Sequence, residues 1–272
     1  MANRMDELMR SFDSEFFQDM GNGEALVETV PASQVRSSVA ENRQILHLIL
    51  LIDVSGSMRG QRIAMVNNAL ENIIKELRRK DDLNAVIKLS VMEFSEDARW
   101  VTPQPIPIQD YVFRPLKAEP WLTNYAPAFL ALDGKLSRKG FLDPNLGEYF
   151  APLILFITDG EPSDVVDFPN ALLRLSQNGW FRKSAKYAIA VGEDARTAEV
   201  VRLLSLFTQT EQNVRYADEG DALCSLIEFV AVRASEVQTS MVSSPAQESS
   251  GNHFSSIFAD KDPSLFSSLF NT

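Results

Sequence analysis

Of the 272 residues, one is a cysteine and two are histidines. Cys224 alone cannot close an intrachain disulfide, which fits a reducing compartment. His47 and His253 are not placed for general acid–base work. Long apolar runs are also missing. The longest, Ile45 to Ile52, is interrupted by His47 and falls far short of the ~20 residues that span a bilayer. The first residues, Met-Ala-Asn-Arg-Met-Asp-Glu, run acidic without the apolar block of a secretory signal. Basic charge is scarce, with 26 Lys and Arg against 37 Asp and Glu, a net charge of -11. That balance argues against a general nucleic-acid binder, which needs a basic face for phosphates. It argues equally against docking on anionic membranes. Basic partners and cations remain open, and the expectation is a soluble, cytoplasmic protein.

Apolar residues make up 45% of the chain, enough for a substantial core. The length allows one large domain or two small ones. Residues 1–43 carry four basic and eight acidic side chains, a net of -4. Residues 236–272 carry one and four, a net of -3. The stretch between them, 44–235, carries 21 and 25. The ends are thus more acidic for their length than the middle. Apart from a possible helix around Leu8–Phe17, they lack sustained apolar periodicity. The reading is a folded domain over 44–235 between a flexible acidic extension at 1–43 and a disordered Ser/Phe-rich tail at 236–272.

Within 44–235, strand-like and helix-like stretches alternate. Leu46–Ile52 is a continuous apolar run, as in a strand buried on both faces. Ile63, Val66, Leu70, Ile73, Ile74 and Leu77 recur at helical spacing. Ala85–Phe94 reads as a strand, Ala98–Val101 and Ile106–Ile108 as short ones, and 109–124 as a loop. Ala126–Leu136 is a predicted helix with Pro127 in its first turn. Leu153–Thr158 is a strand. Phe168–Gln177 is a helix that Asn178-Gly179 ends. Tyr187–Val191 is a strand, Arg196–Phe207 a helix, Val214–Tyr216 a short strand and Asp221–Val232 a last helix. The alternation predicts an α/β fold: a doubly wound, mostly parallel sheet with helices on both faces.

The chemistry-bearing residues fall where strands end. Asp53 closes the first strand and is followed by Val54-Ser55-Gly56-Ser57-Met58. An Asp-x-Ser-x-Ser run sets a carboxylate and two hydroxyls at alternate positions, which point the same way in extended chain. Gly56 lets the backbone turn between the hydroxyls. A second acidic turn, Thr158-Asp159-Gly160, closes another central strand. In open α/β sheets ligands collect beyond the carboxyl ends of strands, at the topological switch point. Both turns should meet at one rim. Two carboxylates, several hydroxyls and no nearby His or Cys make an oxygen-only site, suited to Mg²⁺ or Mn²⁺. With so few protein ligands the ion keeps waters, and one position is open to an outside carboxylate.

Asp53, Ser55 and Ser57, with Asp159 in Ile-Thr-Asp-Gly, resemble the metal-ion-dependent adhesion site of the von Willebrand factor A family. The likeness spans about residues 44–235. It implies a further ligand from a middle loop, for which Thr123 is the candidate, although no glycine flanks it in Trp121-Leu122-Thr123-Asn124-Tyr125-Ala126. Family-like function would be binding of a protein partner that donates a Glu or Asp to the metal, with no catalysis. Within the family the chain looks most like bacterial TerY-type proteins of tellurite-resistance clusters. That likeness rests on Leu-Leu-Ile-Asp-Val-Ser-Gly-Ser-Met, Leu-Ser-Val-Met-Glu-Phe and Phe-Ile-Thr-Asp-Gly-Glu-Pro-Ser-Asp. It implies a stress or defence setting with a Ser/Thr kinase and a PP2C-type phosphatase as partners.

Plainer readings stand beside these. Asp53–Ser57 could be a polar turn satisfying its own amides, although a second strand end in register favours a site. Glu161 and Asp164 read as solvated loop acids and His47 as a core histidine. Cys224 reads as core packing. The basic run Lys75–Lys80 complements a helix dipole or docks a partner. In the tail, Phe254-Ser255-Ser256-Ile257-Phe258 recurs as Phe266-Ser267-Ser268-Leu269-Phe270, by chance or as paired docking motifs. The rival functions are a metal-assisted phosphohydrolase and a metal-free structural adaptor. A phosphotransferase with an Asp nucleophile on the first strand would want an acid two residues on, where this chain has Ser55.

Overall fold

The computed structural model describes residues 44–79 and 85–217. The possible helix at Leu8–Phe17, the predicted helix at Asp221–Val232, Cys224, His253 and the tail repeat lie outside them, as do Lys80 and the whole of the two proposed extensions.

Among the described residues seven strands form one sheet: β1 (Gln44–Asp53), β2 (Ala85–Phe94), β3 (Ala98–Trp100), β4 (Ile106–Pro107), β5 (Leu153–Thr158), β6 (Ala185–Val191) and β7 (Val214–Ala217). Their order is β3-β2-β1-β5-β6-β7, with β4 also paired to β2. The pairs β1–β2, β1–β5, β5–β6 and β6–β7 are parallel, and only β3 and β4 run antiparallel. The chain steps from β1 to β2 on one side and later returns to β5 on the other. The order therefore reverses between β1 and β5, and the crevice beyond their carboxyl ends is where such a sheet leaves room for a ligand.

The helices are α1 (Gln61–Arg79), α2 (Tyr125–Lys135), α3 (Phe168–Gln177), α4 (Gly179–Lys183) and α5 (Ala198–Thr208). Alternation along the central strands divides the core in two. Leu48, Leu50 and Ile52 of β1, with Leu153, Leu155 and Ile157 of β5, face α1, which buries Met65, Val66, Ala69, Leu70, Ile73, Ile74 and Leu77 against them. Ile49, Leu51, Ile154 and Phe156 face α2, α3 and α5. That second side is aromatic: Phe156 stacks on Phe94 at 5.1 Å and meets Tyr125 edge-on at 4.9 Å.

Two expectations hold and gain a second role here. Asn178 ends α3, but its side-chain oxygen also accepts from Trp180 N at 2.9 Å and Phe181 N at 3.3 Å, and so starts the short helix α4. The Asn-Gly pair reads as a stop although Asn is equally a helix-starting residue. Arg78, read as part of a helix-dipole run, bonds the carbonyls of Ile108 (2.9 Å) and Tyr111, and so pins the loop after β4. His47 is a core histidine, fully buried, with Nε2 2.9 Å from Ser90 Oγ and its ring edge-on to Phe141.

Candidate metal centre

The strand register builds the centre of the rim. Ile52 lies opposite Ile157, so the next residues out, Asp53 and Thr158, face each other on the aromatic side of the sheet. Thr158 Oγ1 donates to Asp53 Oδ2 at 2.7 Å. The other oxygen, Oδ1, accepts from Ser55 N at 2.8 Å. The chain then leaves extended geometry: Gly56–Met58 is a 3-10 turn. The sequence-based picture of alternate side chains on an extended segment is corrected accordingly. The turn still brings the hydroxyls together, with Ser55 Oγ 3.1 Å from Ser57 Oγ. Ser57 Oγ donates to Asp159 Oδ1 at 2.8 Å. Asp53, Ser55, Ser57 and Asp159 thus form one connected set of oxygens drawn from two strand ends about a hundred residues apart.

Thr123 is held beside this set by backbone contacts. Gly56 N donates to Trp121 O at 3.0 Å and Glu119 N to Val54 O at 2.7 Å. Ser163 N donates to Thr123 O at 2.6 Å and Thr123 N to Ser163 Oγ at 3.3 Å. The Thr123 side chain is buried, and no hydrogen bond among the described residues uses its hydroxyl. The middle loop is therefore clamped between the two acidic turns, but Thr123 is not a member of the hydrogen-bonded set.

Asp53 is the most enclosed of the acids, with 0% exposure. Burial pushes its carboxyl up to about 6, against the pull of the hydrogen bonds from Ser55 and Thr158. Its partners are hydroxyls and an amide, with no ion pair among the described residues. A buried carboxylate without a counter-charge is costly. A set of two carboxylates and neutral hydroxyls, without nitrogen or sulfur, suits a hard divalent cation. The donor set therefore fits Mg²⁺ or Mn²⁺. Among the described residues no group of three or more His, Cys, Asp or Glu could hold a metal. A cation held here would take much of its coordination sphere from hydroxyls and water.

Four further residues shape the rim. Asp164, expected to be a solvated acid, accepts from Tyr125 N at 2.9 Å and Ala126 N at 2.7 Å and so caps α2. Tyr125 OH donates to Gly160 O at 2.6 Å, anchoring the second acidic turn. Thr158 orients Asp53. Arg62, in the first turn of α1, bonds Asp159 Oδ2 at 2.6 Å. Two of the four carry a signal in the sequence: Thr158 by its place beside Asp159, and Asp164 by its place near the same rim, although it reads there as solvated. Glu161 is exposed as expected. A shallow apolar groove of ≈ 570 Å³ opens beside it between α3 and α5, lined by residues including Val165, Phe168, Leu172, Leu203 and Leu206. None of the five expected ligands lines it, and the donor chemistry lies at the switch point.

No family model matches the chain. It is 26% identical over 182 residues to human inter-alpha-trypsin inhibitor heavy chain H6, a match covering 65% of this chain and 14% of the human one. Among solved structures, a von Willebrand factor type A protein from Catenulispora acidiphila superposes with a TM-score of 0.51 at 17% identity, over 71% of this chain and 43% of that one. Proximal thread matrix protein 1 of the mussel byssus gives 0.51 at 15% identity, over 71% and 49%. The pilus adhesin SpaC of Lactobacillus rhamnosus GG gives 0.54 at 13% identity, over 72% and 31%. The chain thus spans less than half the length of each of these proteins, and the likeness to the solved structures is one of fold. No helix among the described residues is long and apolar enough to cross a membrane. Sheet order, parallel pairing and these superpositions together make this a von Willebrand factor A-like α/β fold.

Proposed function

We propose that the rim holds one divalent cation, Mg²⁺ or Mn²⁺, and that the loaded rim is a protein-binding site rather than a catalytic one. The observation that carries this is the connected set Asp53–Ser55–Ser57–Asp159 at the switch point, built around the buried Asp53 carboxylate, which pairs with no basic side chain among the described residues. Asp53, Ser55, Ser57 and Asp159 are the assigned ligands, with Thr123 as a further one from the clamped loop. When bound, the ion supplies a positive centre that accepts a Glu or Asp side chain from a partner. The protein's own groups do the positioning: Thr158 and Ser55 N orient Asp53, and Tyr125 fixes the second acidic turn.

The surroundings suit association. Trp121 and Leu122 on one side, and Val165 and Val166 on another, are large apolar side chains exposed to solvent on loops that hydrogen-bond to each other through Thr123 and Ser163. Exposed apolar groups beside a directional polar contact are what an interface needs: anchors to bury and one charge to set register. The one histidine among the described residues is sealed in the core, which removes it as a general base at the rim. The TerY-type likeness of the motifs extends the reading to a cytoplasmic scaffold in a tellurite-resistance-like stress or defence system, beside a Ser/Thr kinase and a PP2C-type phosphatase.

The test is co-purification of the full chain with its partners, identified by mass spectrometry and repeated with purified components. EDTA should release the partner and Mg²⁺ should restore it. Ser55→Ala and Ser57→Ala should weaken binding more than folding. A partner that binds equally well in EDTA and to Asp53→Ala contradicts the metal bridge.

A further inference from the structure

Arg62 bridges two acids. Its Nη1 donates to Asp159 Oδ2 at 2.6 Å, and its Nη2 to Asp194 Oδ1. The Asp159 side chain is 1% exposed and that of Asp194 is 70% exposed. One guanidinium therefore ties a buried carboxylate of the rim to a solvent-facing one on the loop after β6. The backbone leaves room for it. A Cβ on Gly192 would lie 2.9 Å from Arg62 Nε and 3.1 Å from Nη2, and Gly192 has a φ of +95°, which favours glycine in any case. The contact holds the Asp194 carboxyl below its ordinary range.

We propose that Arg62 is a resident counter-cation of the rim, with which a divalent ion must share Asp159, so that loading of the site and the Arg62–Asp159 ion pair oppose each other while Asp194 draws Arg62 away from the ion. The inference rests on the metal reading given above. Both Asp159 oxygens already carry a proton donor, Ser57 on Oδ1 and Arg62 on Oδ2. A divalent ion drawing on this carboxylate weakens its hold on Arg62 and repels the guanidinium directly. Thermodynamic linkage makes the effect mutual: whatever seats Arg62 on Asp159 lowers the affinity for the ion. Asp194 acts in the other direction, because it takes part of the guanidinium and adds negative charge. The turn Glu193–Ala195, which carries two acids, thereby senses whether the site is loaded. Arg62 is a positioning residue in this account.

The test is Mn²⁺ titration of the full chain, read by electron paramagnetic resonance of the free ion, for the wild type, Arg62→Gln and Asp194→Asn. Arg62→Gln should bind Mn²⁺ about tenfold more tightly, the scale of one removed charge a few ångströms from a divalent ion in a watery rim. Asp194→Asn changes a side chain that is 70% exposed. It should bind about two- to threefold more weakly, the smaller effect reflecting solvent screening. A purely structural role would not give opposite signs. Hydrogen–deuterium exchange over residues 192–197 should fall when Mg²⁺ is added to the wild type, as Arg62 displaced from Asp159 rests more fully on Asp194, and stay level in Arg62→Gln. Binding that Arg62→Gln leaves unchanged or weakens overturns the counter-cation role while the metal site stands. Unchanged or tighter binding in Asp194→Asn also overturns it. No Mn²⁺ binding in the wild type or Arg62→Gln overturns both readings.

Discussion

Along β1 and β5 the chain changes character within a single residue. Leu48–Ile52 and Leu153–Ile157 are apolar and almost wholly excluded from water. One residue further on, Asp53 and Thr158 are just as dry. The first region is dry because removing apolar surface from water stabilises the fold, by about 25 cal/mol per Å². The second is dry at a cost, since a buried carboxylate gains only partial return from hydroxyl and amide donors. The rim is thus where the chain gives up stability for a property that stability does not need. Changes in the two regions should differ in kind as well as size.

The largest loss is expected inside the strands. Phe156→Ala removes a ring at the centre of the aromatic side, in contact with Phe94, Phe129, Tyr125 and Phe207. It should cost about 3–5 kcal/mol in urea denaturation. A loss below about 1 kcal/mol would mean that the aromatic side is loosely packed.

A mid-sized effect depends on pH. Burial lowers His47 to about 3, while an unfolded histidine titrates near ~6.5. Between those values the unfolded chain binds the extra proton, so His47 favours folding above about 6.5 and that contribution fades as pH falls toward 3. From pH 7.5 to 5 the loss is about 2 kcal/mol for this group. Asp53 works in the opposite sense, since its folded carboxyl is raised to about 6 and a folded group that holds its proton gains as pH falls. Comparing wild type with His47→Gln isolates the histidine: the variant's stability should fall less between pH 7.5 and 5. Equal falls in both would show that His47 is protonated inside the fold.

A smaller effect should follow at the rim's supports. Asp164→Ala removes the acceptor of two amide donors at the start of α2 and should cost about 1 kcal/mol. Because α2 begins two residues after Thr123, the change should also loosen the middle loop, seen as faster hydrogen exchange at Thr123–Ala126. Unaltered exchange there would separate the cap from the loop.

Legibility in the sequence follows the same division. The bounds of β2, β5 and α3 were readable to the residue, because apolar runs or helical spacing there stop at turn residues. Asp53, Ser55, Ser57 and Asp159 were readable as one group because each sits at or just beyond a strand end, and parallel strands deliver such ends to one rim. What was not readable depends on long-range pairing. Arg62 meets Asp159 across 97 positions and Asp194 across 132. Asp164 meets the α2 amides across about forty. An exposed-looking loop acid and a helix arginine carry no local mark of such partners. At Gly56–Met58 the sequence shows that a turn is allowed but not that it is a 3-10 turn, because extended and 3-10 chain both bring the two hydroxyls together and the motif's chemistry does not reveal its backbone.

The central claim, that the rim spends stability on a cation, is tested most directly by thermal melting of the wild type and Asp53→Asn at pH 7.5, in EDTA and in excess Mg²⁺ or Mn²⁺. The substitution keeps size and removes the buried charge. Without metal, Asp53→Asn should melt at or above the wild-type temperature. With metal, the wild type should rise, since an ion that binds the folded state stabilises it, and Asp53→Asn should not. A wild type indifferent to both metals, or an Asp53→Asn that responds as the wild type does, would contradict the account.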